Sequence, residues 1–579
     1  MLESKKIGAD KLLYIEVLFC GLLIFVLEVH NIDKYYSLIN GVDEYGYLSC
    51  ALYLSGKGSL DIASTLSYYS FGYSVLLVPL VKFISNPIIL FRSILIVNYL
   101  CIIGAFFLSV KVITQIEKNI SNTLLVMFCC IGFLYVSNYI NSKYVFSESL
   151  LVLMIWIIIY IFQSILNKYS IFKIIMLEIS CVYLYFIHQR TISIVLAMAI
   201  IILVLCIMKR IPISALITVV IPIIVFLLGQ SVKTIIIDNV YLNGGQLANN
   251  DYSAQFTKIR FIFSKDGLVS LLYGLLAKIY YFNLASFFIG SIGVLYISDK
   301  IIQAVIKKYR EKDSLIDDKC YLYLFMLISF IFAFAIQVIF LIYPTRYDLV
   351  IYGRYIDYLS NFFIICGLVS LYRHEKKLYL WIVFITIVTI IGAFSAEMLF
   401  EKYQLVYSES YLSPGLFVFF DNVGSLKESV FITIMVIVTL GFIYNIYFRF
   451  KKNKLFGLVC ICLMTIMFWG WNLEVIESNI MEEQSMFKEN YFPLAEYINN
   501  SNKQVYYYFD SQERYKRLRQ VQYLCPNQEF LSLTKEELKT SLDCMVLTDN
   551  NEGEIDDYLS ESEAIVIYKN YMYKLWYIN

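Results

Sequence analysis

Apolar runs of about 16 to 23 residues recur from position 11 to position 470, and this recurrence limits the fold more than any other feature. At 1.5 Å per residue, each run crosses a hydrocarbon core of about 30 Å as a helix. Helices also satisfy every backbone N–H and C=O inside lipid, which open strands do not. The chain is 59% hydrophobic and 16% charged, against about 25% charged in an ordinary soluble domain. It therefore reads as an all-α polytopic membrane protein. The opening stretch MLESKKIGADKLLYIEVLFCGLLIFVLEV has a basic flank and a long apolar core with no A-x-A cleavage site after it, so it reads as a retained signal anchor.

About 13 transmembrane helices are expected, near 11–30, 90–110, 120–138, 147–166, 170–187, 192–208, 211–230, 280–298, 320–342, 357–372, 378–396, 428–447 and 455–470. With Lys5, Lys6 and Lys11 on the cytoplasmic side, every second connection should be basic. Lys111/Lys118, Lys168/Lys173, Lys209/Arg210, Lys307/Lys308/Arg310/Lys312, Arg373/Lys376/Lys377 and Arg449/Lys451/Lys452/Lys454 fit that alternation. The segment FGYSVLLVPLVKFI at 71–84 would invert the order if it crossed. At 14 residues it is short for a span, so it is expected to lie along the outer surface with Lys82 snorkelling to the headgroups.

These readings place the protein in the cell membrane with a cytoplasmic N-terminus, and they divide it into a transmembrane domain, 1–470, and an extracytoplasmic α/β domain, 471–579. The first outer loop is 31–89. The C-terminal region holds 19 Asp/Glu and 10 Lys/Arg. It alternates strand-like runs (VYYYF, CMVLT, AIVIY, YMYKLWYI) with helical stretches (SMFKENYFPLAEYINN, TKEELKTSL). It has no Gly-rich phosphate loop, metal-spaced Cys/His cluster or nucleophile elbow. Its two cysteines, Cys525 and Cys544, are candidates for a disulfide. The net charge of +1 gives no indication of a nucleic-acid partner.

The unusual polar residues gather on the expected outer face. Asp43 and Glu44 lie in the first outer loop, in NGVDEYGYLS; Glu148 starts the fourth span in FSESLL; His188 and Arg190 end the fifth in YFIHQR; and Arg346, Asp348, Arg354 and Asp357 share YPTRYDLVIYGRYIDY. Carboxylates near a membrane are costly to desolvate, so their convergence suggests a functional site. Adjacent residues on a helix point about 100° apart, so one carboxylate of the Asp43/Glu44 pair suffices to face it. Glu148 also suits a helix N-terminus. Three His in the chain make a His-built metal site a poor expectation. Planar guanidinium groups suit a phosphate, with tyrosines around Arg354 for packing or sugar stacking.

These features resemble the C-type (GT-C) membrane glycosyltransferases, the superfamily of protein O-mannosyltransferases and lipid A aminoarabinose transferases. Asp43-Glu44 matches the acidic motif of that family's first outer loop. YYSFGYSVLLVPL matches its juxtamembrane PPGYPLLL helix, with Tyr69, Ser70 and Phe71 where prolines are usual. Glu148 in FSESLL matches its acidic residue before the fourth span, and YGRYID at 352–357 resembles one of its loop motifs. Motifs cover the chain to about 360, and architecture alone the remainder.

The resemblance implies a GT-C fold and transfer of a sugar, with inversion, from a polyprenyl-phosphate donor to an acceptor hydroxyl on a glycan, lipid or protein. It implies catalytic roles for Asp43, Glu44 and Glu148, with Asp43 as base. Arg354, Arg346 and Arg190 would bind the donor phosphate, with Arg260 behind them. Tyr352, Tyr355, His188 and Tyr73 would contact substrate. No metal is expected to be obligatory; a divalent cation held by Asp43 and Glu148 is the open alternative. Competing readings are a flippase of lipid-linked saccharides, an oligosaccharide polymerase or ligase using the 231–279 loop with Lys258, Arg260 and Lys265, and a structural envelope protein.

Overall fold

The computed structural model describes residues 2–58, 61–241, 260–311, 316–340, 351–373, 376–403, 413–416, 426–449, 454–508, 515–533, 543–550, 553–561 and 563–579. The expected all-α bundle with a small C-terminal α/β unit is what the chain forms. Among the described residues ten helices are long and apolar enough to cross a membrane, or eleven if the pair Asn122–Phe133 and Val136–Ser142, bent by 53°, is one span. The Ile171–Ile187 and Asp357–Arg373 helices, 17 residues each, fall just below that length.

One expected span is corrected. The run at 280–298 straddles two helices, Lys265–Ala285 and Ile289–Arg310. Phe287 and Phe288 take φ of 50° and 63° between them, a left-handed conformation that stops a right-handed helix. The apolar pattern runs through this break, so composition alone does not reveal it.

The 71–84 segment forms a 13-residue helix, Phe71–Phe83, packed on the Asp43–Ser55 helix of the first loop. The latter starts where the Asn40 side-chain oxygen accepts the Asp43 N–H and stops at Gly56, whose φ of 73° suits a residue without Cβ. Toward the C-terminus, the Lys454–Asn499 helix continues unbroken through position 470. The sheet begins after it, in order β2-β1-β3-β5-β4: β1 Gln504–Tyr508, β2 Phe530–Ser532, β3 Cys544–Asp549, β4 Ile565–Lys569 and β5 Tyr573–Ile578. β1 pairs in parallel with β2 and β3, while β5 is antiparallel to both β3 and β4. The TKEELKTSL stretch lies outside the described residues.

Cys525 and Cys544 are both free thiols. Cys525 ends the Tyr515–Leu524 helix and packs into the main core, with Sγ toward the Ala495 carbonyl. Cys544 belongs to a separate small core with Val546, Ile555 and Trp576. The two cores explain why this pair is not bridged.

The Tyr515–Leu524 helix binds the sheet unit to the first loop. Gln520 donates to the Leu38 carbonyl at 2.8 Å, and the Tyr45 hydroxyl donates to Gln522. From β1, Tyr507 donates to Asp61 at 2.7 Å.

Candidate functional site

Four charges from four separate stretches meet at one point. The Arg354 guanidinium donates from Nε to Glu148 Oε1 at 2.6 Å, from Nη2 to Glu148 Oε2 at 3.3 Å, and from Nη1 to Asp43 Oδ2 at 2.6 Å. Arg190 Nη2 donates to the same Glu148 Oε1 at 2.7 Å. Arg354, Glu148 and Arg190 are almost fully enclosed, at 3–4% exposure, whereas Asp43 keeps 28%. Asp43 is therefore the member of the cluster that a substrate reaches first.

Each charge has a local reason for its place. Asp43 and Glu148 stand in the first turns of the Asp43–Ser55 and Glu148–Asn167 helices, where the macrodipole favours a carboxylate. Arg190 follows the end of the Ile171–Ile187 helix in a short 3-10 turn, Gln189–Thr191. Arg354 projects from a turn closed by the Gly353 carbonyl, which accepts N–H groups of Ile356 and Asp357. Gly353 is required there, because a Cβ would meet the Tyr281 ring at 1.9 Å. Tyr281 passes through that gap to donate to Asp357, which also accepts from Tyr135 and Ser137 at 2.9 and 2.6 Å. Asp357 is thus an anchor for the arginine turn.

Aromatic rings complete the walls. The Arg354 guanidinium lies 3.7 Å from the centre of the Phe146 ring, which stacks on Tyr144. Tyr355 and Tyr358 lie 4.6 and 5.3 Å from the Arg190 guanidinium. Arg190 Nε and Nη1 have no hydrogen-bond partner among the described residues although both are buried. Burial opposes the charge on Arg354, but Glu148 beside it outweighs that cost and holds the guanidinium well above its usual range. Burial, followed by the Arg190 charge, pushes His188 well below its usual value, so its ring stays neutral. Its Nδ1 accepts the Arg190 N–H at 3.3 Å.

Asp43 has a partner that the motif reading missed. Tyr69 donates to Asp43 Oδ1 at 2.7 Å. Its ring lies across Gly46, where a Cβ would meet it at 2.1 Å. Burial and then the Asp43 charge push the Tyr69 phenol well above its usual range, so it remains a donor. The clue in the sequence was Tyr69 at a departure from the motif the stretch resembles, together with a glycine three residues after Asp43.

The expected site residues divide accordingly. Asp43, Glu148, Arg354 and Arg190 converge. His188 and Tyr355 border them through a ring contact of 6.1 Å, and Tyr352 packs on Tyr355 at 4.9 Å. Arg346, Asp348 and Lys258 lie outside the described residues; Arg260 is exposed. Tyr73 is buried behind the site, with its hydroxyl on Asn98.

Glu44 faces away from the cluster. It is fully enclosed and accepts the backbone N–H groups of Asn40 and Val145 at 2.7 and 2.8 Å. It thereby clamps the first loop to the 143–147 stretch that carries Phe146 and leads into Glu148. Burial pushes its carboxyl up to about 8. A divalent ion shared by Asp43 and Glu148 does not fit this arrangement, because Arg354 bridges those two carboxylates. No group of three or more His, Cys, Asp or Glu with metal-binding geometry occurs among the described residues.

No family model matches the chain, and no curated protein matches it. Among solved structures it is similar to ArnT from Cupriavidus metallidurans bound to undecaprenyl phosphate, with TM-score 0.48 and 9% identity over 97% of each chain. It is also similar to the apo form of that protein, with TM-score 0.47 and 10% identity over 98% of each.

Proposed function

We propose that this protein is a membrane glycosyltransferase that moves a sugar from a polyprenyl-phosphate donor to an acceptor hydroxyl at the outer membrane face, with inversion. The observation that carries this reading is an accessible carboxylate, Asp43, bonded to the enclosed Arg354, which shares Glu148 with a second enclosed arginine, Arg190. Arg190 has two buried donors without a hydrogen-bond partner among the described residues. Unpaired buried donors of this kind are expensive unless an anion completes them.

The chemistry follows from that arrangement. Asp43 accepts the proton of the acceptor hydroxyl as its oxygen bonds to the anomeric carbon. The bond from that carbon to the phosphate oxygen breaks, and its electron pair leaves with the polyprenyl phosphate. Arg354 and Arg190 stabilise the charge that grows on the departing phosphate, in a site from which water is largely excluded. A donor phosphate competes with Asp43 for Arg354 Nη1, so donor binding frees the Oδ2 oxygen for the acceptor. Tyr69 keeps the other oxygen in place.

The test is reconstitution of the purified full chain in vesicles with polyprenyl-phosphate sugars, measuring released polyprenyl phosphate for wild type and Asp43→Asn. Release by wild type and its loss in the variant are expected. Equal release by both removes Asp43 from the base role. Lipid scrambling by both, without release, replaces the transferase reading with a flippase.

A further inference from the structure

A cavity lies on the other side of the helix that carries Asp43. It encloses about 270 Å³ between the Asp43–Ser55 helix, the end of the Phe71–Phe83 helix, the start of the Pro87–Ile116 helix and the C-terminal unit. Tyr45, Leu48 and Leu52 line it from one helix face. At about 100° per residue, Asp43 points about 160° away from Tyr45. The cavity is therefore separate from the Asp43 cluster.

Its lining has an amphiphile's division. Leu48, Leu52, Val81, Ile84 and Leu90 form an apolar floor, and Gln522, Asn527 and Gln528 lie on the side of the C-terminal unit. Among the described residues no Asp or Glu lines it, and Lys57 is the one charged residue that does. Lys57 Nζ donates to the carbonyls of Val81 and Lys82 at 3.2 and 2.6 Å, which leaves one of its three protons for a further acceptor. Next to lining residues Ile84 and Leu90, Phe83 and Ile89 are 82% and 55% exposed. The rim thus opens beside exposed apolar side chains, a surface suited to lipid.

The electrostatics of the overlying helix favour the same occupant. The C-terminal region has 19 acidic and 10 basic residues, yet YKRLRQVQYL, the Tyr515–Leu524 helix, carries Lys516, Arg517 and Arg519 and no acid. Arg519 is one turn before Gln522. It is 5% exposed, with Nη2 on Thr65 at 3.3 Å and Nε without a partner. No ion pair to it occurs among the described residues. Burial lowers it to about 10, which leaves it charged at neutral pH. Arg519 thus places positive charge one turn from the cavity wall, which favours an anionic headgroup there.

We propose that this cavity binds an anionic bilayer phospholipid, with its phosphate at the rim beside Lys57 and one acyl chain along the Leu48, Leu52, Val81, Ile84 and Leu90 floor. The lipid fastens the C-terminal unit to the juxtamembrane helices and takes no part in sugar transfer. Basic residues near an anionic surface attract anionic headgroups, so the Lys57 end gives preference while the floor gives residence.

The experiment uses the full chain in phosphatidylcholine vesicles containing phosphatidylglycerol, with p-benzoylphenylalanine at Asn527 on the cavity wall or at exposed Tyr571 as control. Irradiation should attach phosphatidylglycerol at 527 several-fold more than at 571, and more than phosphatidylcholine at 527. Leu52→Trp, which fills the floor, should lower that yield several-fold. Ser85→Asp, an exposed change that repels phosphate without disturbing packing, should lower the phosphatidylglycerol yield and leave the phosphatidylcholine yield unchanged. Equal yields at 527 and 571, no preference between the lipids, or no effect of Ser85→Asp overturns the proposal. None of these readouts requires glycosyl transfer, so they stand apart from the assay of that activity.

Discussion

Arg354 and Asp43 are joined by a 2.6 Å hydrogen bond across 311 positions of sequence, and in the proposed mechanism that bond decides when Asp43 is free to act as a base. While it stands, the carboxylate is oriented but one of its oxygens is engaged. The second and third bonds of Arg354, to Glu148, keep the guanidinium in place when Asp43 lets go.

Asp43→Asn should lower sugar transfer by about 10²- to 10⁴-fold, the usual contribution of a positioned general base. Because Arg354 retains Glu148, the melting temperature should stay close to that of wild type. Polyprenyl phosphate release and thermal unfolding of the same sample check both expectations. A large loss of stability with this variant would show that Asp43 is mainly a structural partner of Arg354.

Glu148→Gln should be more damaging to the fold than any change at Asp43. It leaves two enclosed guanidinium groups facing a neutral side chain, and breaking such a buried pair costs about 3–5 kcal/mol. The double variant Glu148→Gln/Arg190→Gln should recover part of that stability, because it removes one of the stranded charges. Thermal unfolding of the single and double variants separates this coupling from an additive effect.

The extent to which the site could be read from sequence follows from how each residue declares itself. Asp43, Glu148, Arg190 and Arg354 stood out because charge is rare near apolar segments, and the cost of burying it makes convergence the economical arrangement. Glu44 looked equivalent to Asp43, since adjacent residues share composition and motif; only the direction of each side chain distinguishes a clamp from a base. Tyr69 and Phe146 were hidden because 50 Tyr and 43 Phe give no contrast in this chain. The break at Phe287–Phe288 was hidden for a related reason: its left-handed residues are as apolar as those around them.

Gly46→Ala should reproduce most of the effect of Tyr69→Phe. The new Cβ would meet the Tyr69 ring at 2.1 Å, so the ring must move and its hydroxyl leaves Asp43. Both variants keep the base and both arginines, and the expected loss is in kcat, with little change in KM for the donor. Steady-state kinetics of the two variants side by side check this. A fall in donor affinity with either would place Tyr69 in donor binding instead.

Glu44 should give the folded protein a measurable pH dependence. Burial raises its carboxyl to about 8, above the value of about 4.3 for an unfolded chain. Between those values the folded state binds more protons than the unfolded state, so the stabilising contribution of this group is full below the lower value and declines as pH rises toward the upper one. Glu44→Gln cannot ionise and should flatten that part of the stability curve. It also replaces one acceptor oxygen with an amide that cannot receive the N–H of Asn40 or Val145, so the variant should be less stable than wild type at pH 5. Denaturant unfolding of both proteins at several pH values from 5 to 8 gives the comparison. Parallel slopes across that range would assign the proton uptake to another group and leave Glu44 as an ionised clamp.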